Sequence, residues 1–154
     1  MIRDALLTLL RDAQVAFRQV EHGPTRTSAE SAAARGEDLA IGGKTLLLKV
    51  DDRFELFVLS AARRMVSSRA RKSVGARRSR FATEEELLEM TGLVPGTVPP
   101  FGEPLLPFPL NADRSVLEHD RIAFNAASPT ESIVMTTADW RRIARPTIRD
   151  YTRA

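Results

Sequence analysis

The sequence predicts a mixed α/β fold assembled from short strands and short helices. Three observations predict it. Two apolar β-type segments, 44–50 (KTLLLKV) and 54–60 (FELFVLS), flank Asp51-Asp52-Arg53, the pattern of a hairpin with a short turn. Two Thr-x-x-Glu boxes, Thr27 with Glu30 and Thr83 with Glu86, open helices elsewhere. Strands and helices do not alternate regularly, which argues against a doubly wound parallel sheet.

Taken in order, residues 2–14 carry Ile2, Leu6, Leu7, Leu10 and Ala13 at helical spacing. Residues 15–21 alternate and read as a strand, and 22–27 (HGPTRT) as a loop. The first capping box opens a helix through Ala34 that Gly36 stops. Gly42-Gly43 reads as a flexible hinge before the hairpin. A helix is expected over 67–74, ended by Gly75, then a short strand at 78–82. The second capping box opens a helix to about Thr91. Residues 92–104 (GLVPGTVPPFGEP) are dense in Gly and Pro, yet Leu93, Val94, Val98 and Phe101 argue for an ordered, packed loop. Strands are expected near 104–110, 120–125 and 131–136. Thr137 is expected to cap a last helix (ADWRRIA) before an extended tail.

A length of 154 residues suits one domain with its own core. With no cysteine there is neither a disulfide framework nor a thiolate zinc site. The first eleven residues mix Arg3, Asp4 and Arg11 among apolar positions, unlike the apolar region of a signal peptide. No apolar run approaches the roughly 18 residues of a membrane span. A soluble, cytoplasmic protein with no membrane association is expected. The net charge of +3 is unevenly spread. Eight cations and no acid lie between Arg63 and Arg80, and Glu84, Glu85, Glu86 and Glu89 follow. Such a block is either a solvated face or a footprint for a polyanion. Without interleaved aromatics it suits phosphates better than bases.

Familiar catalytic patterns are missing. The two histidines, His22 and His119, are far apart in sequence, and neither H-E-x-x-H nor G-x-S-x-G occurs. Gly43-Lys44-Thr45 ends like a P-loop, but position 38 is Asp38 where a glycine is needed, and the segment leads into a strand. Lys44 nonetheless stands out. Of 23 cationic side chains only Lys44, Lys49 and Lys72 are lysines. Lysine supplies a compact ammonium for a tight carbonyl or phosphate site that a planar guanidinium would overfill. The alternative is a strand-end lysine facing water. The Gly92–Gly96 segment is likewise open to two readings. It is either a rigid Ω-like connection or a loop that presents backbone N–H groups to an anion or ester carbonyl.

Several motifs occur together in order: TSAESAAARG, GGKTLLLKV, FATEEELLEMTGLVPGTVPPFG, LNADRSVLEHDRIAFNAAS and SIVMTTADWRRIA. Together they resemble the YbaK/EbsC family, the superfamily of the prolyl-tRNA synthetase editing (INS-like) domain, over roughly residues 15–145. The resemblance implies a mixed, partly closed β-barrel sheet flanked by helices. It implies a single aminoacyl-tRNA deacylase domain over 1–154, free-standing, that hydrolyses the ester of mischarged tRNA. On this resemblance the family lysine falls on Lys44, and the Gly-x-x-Pro-Gly loop on Gly92, Pro95 and Gly96. The pocket-lining segment falls on Asn125, Ala126, Ala127, Ser128 and Ser132. The ending IAFNA…SI-M-TADW-RIA is similar to the YeaK-like branch, associated with Ser- and Thr-tRNA. Ala- or Cys-tRNA(Pro) deacylation, or an inactive tRNA- or synthetase-binding module, are the alternatives.

The implied chemistry uses no metal, no cofactor and no covalent intermediate. Lys44 and loop N–H groups would hold the ester carbonyl or terminal phosphate, and groups of the substrate itself would help activate water. Arg69, Arg71, Lys72, Arg77 and Arg78 would hold the tRNA backbone. An aminoacyl-tRNA synthetase is a further expected partner.

Overall fold

A computed structural model describes residues 1–25 and 27–154. Arg26, part of the loop expected at 22–27, lies outside the described residues. Among the described residues five α-helices form: α1 (Ile2–Asp12), α2 (Ser28–Arg35), α3 (Ser67–Ser73), α4 (Glu84–Thr91) and α5 (Thr137–Ala144). None is long and apolar enough to cross a membrane. Ten strands accompany them: β1 (Phe17–Glu21), β2 (Gly43–Val50), β3 (Arg53–Ser60), β4 (Arg64–Met65), β5 (Ser79–Phe81), β6 (Leu110–Asp113), β7 (Arg121–Asn125), β8 (Glu131–Thr136), β9 (Thr147–Arg149) and β10 (Thr152–Arg153).

Both capping boxes form. Thr27 and Thr83 each accept the N–H of the glutamate three residues on, and Glu30 and Glu86 reach back to the cap N–H. The hairpin also forms, with Val50 opposite Arg53 across a two-residue turn. Asp51 takes a positive φ of 53° there, which short polar side chains tolerate. Its carboxylate accepts the N–H groups of Arg77 and Arg78 at 2.9 and 3.0 Å. These bonds, the Arg78 one foremost, hold the carboxyl below its usual range.

Strands β2 and β3 lie at the centre of a five-stranded sheet ordered β5-β2-β3-β6-β9. A separate antiparallel sheet runs β1-β8-β7, and β10 pairs with β4. The strands therefore form three sheets among the described residues, without the closed barrel. One isolated bridge, Gly42 to Ala123, joins the two larger sheets. Side chains alternate across the five-stranded sheet, as its period of two requires. Leu47, Leu56 and Val58 face a core shared with Ile122, Phe124, Ile133 and Met135, under α1 and Trp140 of α5. Leu48, Val50, Phe57 and Leu59 face a second core with Ala70 and Tyr151. Burial on both faces accounts for the continuous apolar runs of β2 and β3.

Three expectations shift. No strand forms over 104–109, where Pro104, Pro107 and Pro109 lack the N–H a ladder needs, and pairing starts only at Leu110. The cap of α5 is Thr136, whose Oγ accepts the Asp139 N–H. Thr137 is the first helical residue, and its hydroxyl donates to the His119 carbonyl. The extended tail adds β9 and β10 and buries Tyr151. Tyr151 donates its hydroxyl to the Val58 carbonyl at 2.7 Å and sets its ring edge-on to Phe57.

Asp113 fastens that tail. Its buried carboxylate accepts the N–H groups of Tyr151 and Ser115 and the Thr152 hydroxyl, at 2.7, 3.0 and 2.8 Å. Burial works to raise its pKa, but these hydrogen bonds outweigh it and the net shift is downward. A carboxylate depressed in the fold contributes stability above its unfolded pKa and loses that contribution as pH falls through the folded value. Asp113→Asn is therefore expected to cost about 2 kcal/mol at pH 7. The difference from the native chain should shrink as acid is added, and urea melts at a series of pH values measure it.

Candidate active site

The site lies where the opening end of β2 meets β7. Gly43 makes that meeting possible. A Cβ there would stand 2.7 Å from Ile122 Cδ1, closer than any real contact, so these glycines permit close packing where a hinge was expected. Beside the seam opens a cavity of about 480 Å³. Its walls include Lys44 and Thr45 of β2, Pro95 and Gly96 of the loop after α4, Asn125 of β7 and Arg35 of α2. The rim carries Thr25, Thr27, Ser28 and Ser31. No acidic residue and no histidine lines it among the described residues. Nor do three His, Asp or Glu side chains converge as metal ligands among them.

Strand β2 presents an open edge to this cavity. β5 covers it only along Leu48–Val50, and Ala82 donates to the Leu47 carbonyl on that same side. Backbone polar groups of an antiparallel strand alternate between its two edges. Thr45, two residues before Leu47, therefore turns its N–H and C=O away from β3 toward the cavity. Lys44 is exposed and makes no hydrogen bond or ion pair to a described residue. The Thr45 hydroxyl is buried and lacks a partner, with the residue 7% exposed.

The glycine–proline loop divides into two parts. Gly92 ends α4 with φ 74°, gives its N–H to the Leu88 carbonyl and is not among the cavity walls. The N–H groups of Leu93 and Thr97 are engaged within the loop. Proline has no N–H. Among the loop residues on the wall this leaves the N–H groups of Gly96 and Val98, neither of which has a described partner. Gly96 stands at φ 87°, a conformation that favours glycine.

A network of four side chains ties that loop to the β1-β8-β7 sheet and to α2. Asn125 Nδ2 donates to the Gly96 carbonyl at 2.7 Å. Its Oδ1 accepts from Arg35 Nη2 and from the Ser132 hydroxyl, both at 3.1 Å. Ser132 Oγ in turn accepts from Arg35 Nε at 2.9 Å and lies 2.9 Å from His22 Nε2. These partners fix the orientation of the Asn125 amide, since only an oxygen can accept from a guanidinium. Ser132 is fully buried behind Asn125 and so is not a wall. Ala126 packs in the core, and Ser128 bonds Thr130 in the turn after β7. The site residues expected from sequence therefore separate. Lys44, Pro95, Gly96 and Asn125 line the cavity, Ser132 supports it, and Gly92, Ala126 and Ser128 do not face it.

The family model for the aminoacyl-tRNA editing domain matches residues 22–143. The chain belongs to the aminoacyl-tRNA editing domain family. This editing domain is 34% identical to the multifunctional Ser/Thr-tRNA deacylase ProXp-y of Escherichia coli (strain K12), over 96% of this chain and 91% of that protein. It is also 34% identical to a proline–tRNA ligase of Shouchella clausii, over 66% of this chain but only 18% of the ligase. A crystal structure assigned as a candidate trans-editing enzyme for prolyl-tRNA synthetase superposes with a TM-score of 0.86 at 25% identity. That match covers 99% of this chain and 98% of the other.

Sequence reasoning passed over Arg35, His22 and Thr45 in this editing domain. For Arg35 a signal existed, because it continues the buried stripe of Ser31 and Ala32 along α2. The unpartnered Thr45 hydroxyl suggests a further check. Thr45→Val keeps the shape and removes an orphaned buried hydroxyl, so stability is expected to hold or rise by up to about 1 kcal/mol. Chemical denaturation reads this, and a clear loss would reveal a partner for the hydroxyl.

Proposed function

We propose that this chain is an aminoacyl-tRNA deacylase, a hydrolase that clears tRNA mischarged with a small amino acid, serine and threonine foremost. One observation carries the reading. Lys44 and the Gly96 N–H, both without described partners, lie on the walls of one small cavity that no acid lines among the described residues. Identity to a Ser/Thr-tRNA deacylase over nearly the whole chain supports it. We read residues 1–154 as one such domain, supported by structural coverage of 99%, with the finer notion of a partly closed barrel left to the two larger sheets meeting at the Gly42–Ala123 bridge. A cytoplasmic location follows from the substrate.

The chemistry is that of ester hydrolysis. Water attacks the ester carbonyl carbon, and the carbonyl oxygen becomes an oxyanion. Collapse expels the terminal ribose oxygen, which takes up the proton that water releases. Lys44 and the Gly96 N–H stabilise the oxyanion, where one well-placed donor contributes about 3–4 kcal/mol. Among the described residues the walls offer no carboxylate or imidazole as a base. The substrate's own ribose hydroxyl or α-amine positions the water in this reading. Such a sieve answers a real need, because one methylene or an added hydroxyl gives a synthetase pocket only about 1–3 kcal/mol of discrimination.

The tRNA backbone falls to the basic face at the far end of β2, about 20 Å from Lys44 by strand rise. Within the basic block, roles divide. Arg69 and Arg71 donate to the backbone carbonyls of Thr152 and Arg77, and Arg80 is paired with Glu86. Lys72, Arg77 and Arg78 are exposed and carry the phosphate contacts in this reading. The match to a proline–tRNA ligase favours prolyl-tRNA synthetase as the protein partner, and Ala- or Cys-tRNA(Pro) as the runner-up substrate.

Lys44→Ala is expected to lower deacylation of Ser- and Thr-tRNA by about 100-fold or more with an unchanged melting temperature. Retained activity removes Lys44 from the mechanism. A native chain inert on Ser-, Thr-, Ala- and Cys-charged tRNA would leave a binding module instead. Neutralising Lys72, Arg77 and Arg78 together is expected to raise KM, leave kcat alone and flatten the salt dependence of tRNA binding by about 0.9 per lost duplex phosphate contact. Binding titrations at several salt concentrations read this, and an unaltered slope argues against the basic face.

A further inference from the structure

Arg35 is a charged side chain on the cavity wall that the proposed chemistry does not use. It ends α2 and is only 8% exposed. A guanidinium removed from water is ordinarily matched by a carboxylate. Arg35 forms no ion pair within the described residues. Glu37, two residues on, is engaged by Arg18 and Arg121. The partners of Arg35 are neutral, Ser132 Oγ and Asn125 Oδ1. They occupy Nε and Nη2. Nη1 makes no hydrogen bond to a described residue. It lies 3.7 Å from where a Cβ on Gly42 would stand, at the entrance to β2 and two residues from Lys44.

A brace for Ser132 and Asn125 needs two donors but no charge. An amide would supply donors without the cost of desolvating a cation. Burial pulls the Arg35 pKa down to about 10, against the attraction of Glu37, so the group remains charged at neutral pH. Among the described residues the cavity thus holds two cations, Lys44 and Arg35, and no acid.

We propose that Arg35 is a second anion-binding group of the site, its free Nη1 and fixed guanidinium receiving a negatively charged oxygen of the substrate in concert with Lys44. The oxygen belongs either to the phosphodiester of the terminal nucleotide or to the tetrahedral intermediate. This inference rests on the deacylase reading for its substrate, but anion binding is testable without it. The neutral hydrogen bonds hold the guanidinium plane still, so the charge is positioned before substrate arrives.

Two measurements test it. In the first, Ser-tRNA deacylation is followed over a range of substrate concentrations for the native chain, Arg35→Gln and Arg35→Lys. Arg35→Gln is expected to lose about 100-fold in kcat/KM, and Arg35→Lys to recover about tenfold of that by restoring charge. A loss in KM alone identifies the phosphodiester, and a loss in kcat identifies the oxyanion. Activity of Arg35→Gln within about threefold of native, or equal loss in both variants at unchanged melting temperature, overturns the proposal. In the second, inorganic phosphate, which mimics both anions, is titrated into the native chain. The Arg35 Nε–H resonance, assigned through its side-chain couplings to the Arg35 backbone, is expected to shift and saturate. A response of the Gly96 N–H with none at Arg35 overturns the proposal even if both variants fail to fold. A native chain inactive on every charged tRNA refutes the deacylase reading, while the phosphate titration still decides the role of Arg35.

Discussion

The absence of a side chain at Gly43 lets the opening end of β2 lie directly against β7, and the bare Gly42 beside it packs against Ala61 and the Leu39 carbonyl. A Cβ at Gly43 would crowd Ile122 Cδ1 and Cγ1 of β7, next to the bridge from Gly42 to Ala123. The close approach sets the positions of everything around it. It places Lys44 and Thr45 at the edge of one sheet and Asn125 at the edge of the other. It also brings Arg35, at the end of α2, within reach of both. The cavity exists because β5 covers only the far half of β2, leaving backbone groups near Thr45 without a neighbouring strand.

Around that seam the polar groups are divided with economy. The interior network of Arg35, Ser132, Asn125 and His22 fixes the Gly96 loop, and so directs its remaining N–H. The wall groups, Lys44, the Thr45 hydroxyl, Arg35 Nη1 and the Gly96 N–H, are left without described partners. Unpartnered polar groups and an unpaired buried cation lower stability, and a fold tolerates such costs where a ligand supplies the missing partners. Stability is recovered elsewhere, through the two apolar cores and the Asp113 latch that buries Tyr151.

Much of the local structure could be read directly from residues. Capping boxes depend on two residues three apart, and hairpins on a turn between apolar runs, so Thr27, Thr83 and the 44–60 hairpin were visible without a fold. The strand expected at 104–110 does not form, because three prolines withhold the N–H groups a ladder needs whatever the apolar content. The short strands β4, β9 and β10 carry too few residues for any periodicity, and form only because partners are at hand. Ala126 and Ser128 sat in a suggestive segment, but a turn with Ala127 at φ 57° directs them away from the cavity.

The mixed α/β class, the Lys44 motif, the loop at Gly92–Gly96 and the unbalanced charge are each written in neighbouring residues, and so are legible before any fold is known. Which of these meet depends on how the chain packs. Arg35 and Ser132 are 97 positions apart in the chain, and Asn125 and Gly96 are 29 apart. No local pattern encodes such pairs, since they arise from packing two sheets across a glycine seam. The same packing decided that Arg35 is buried without a carboxylate, which turns an ordinary helix-end arginine into a charge awaiting an anion.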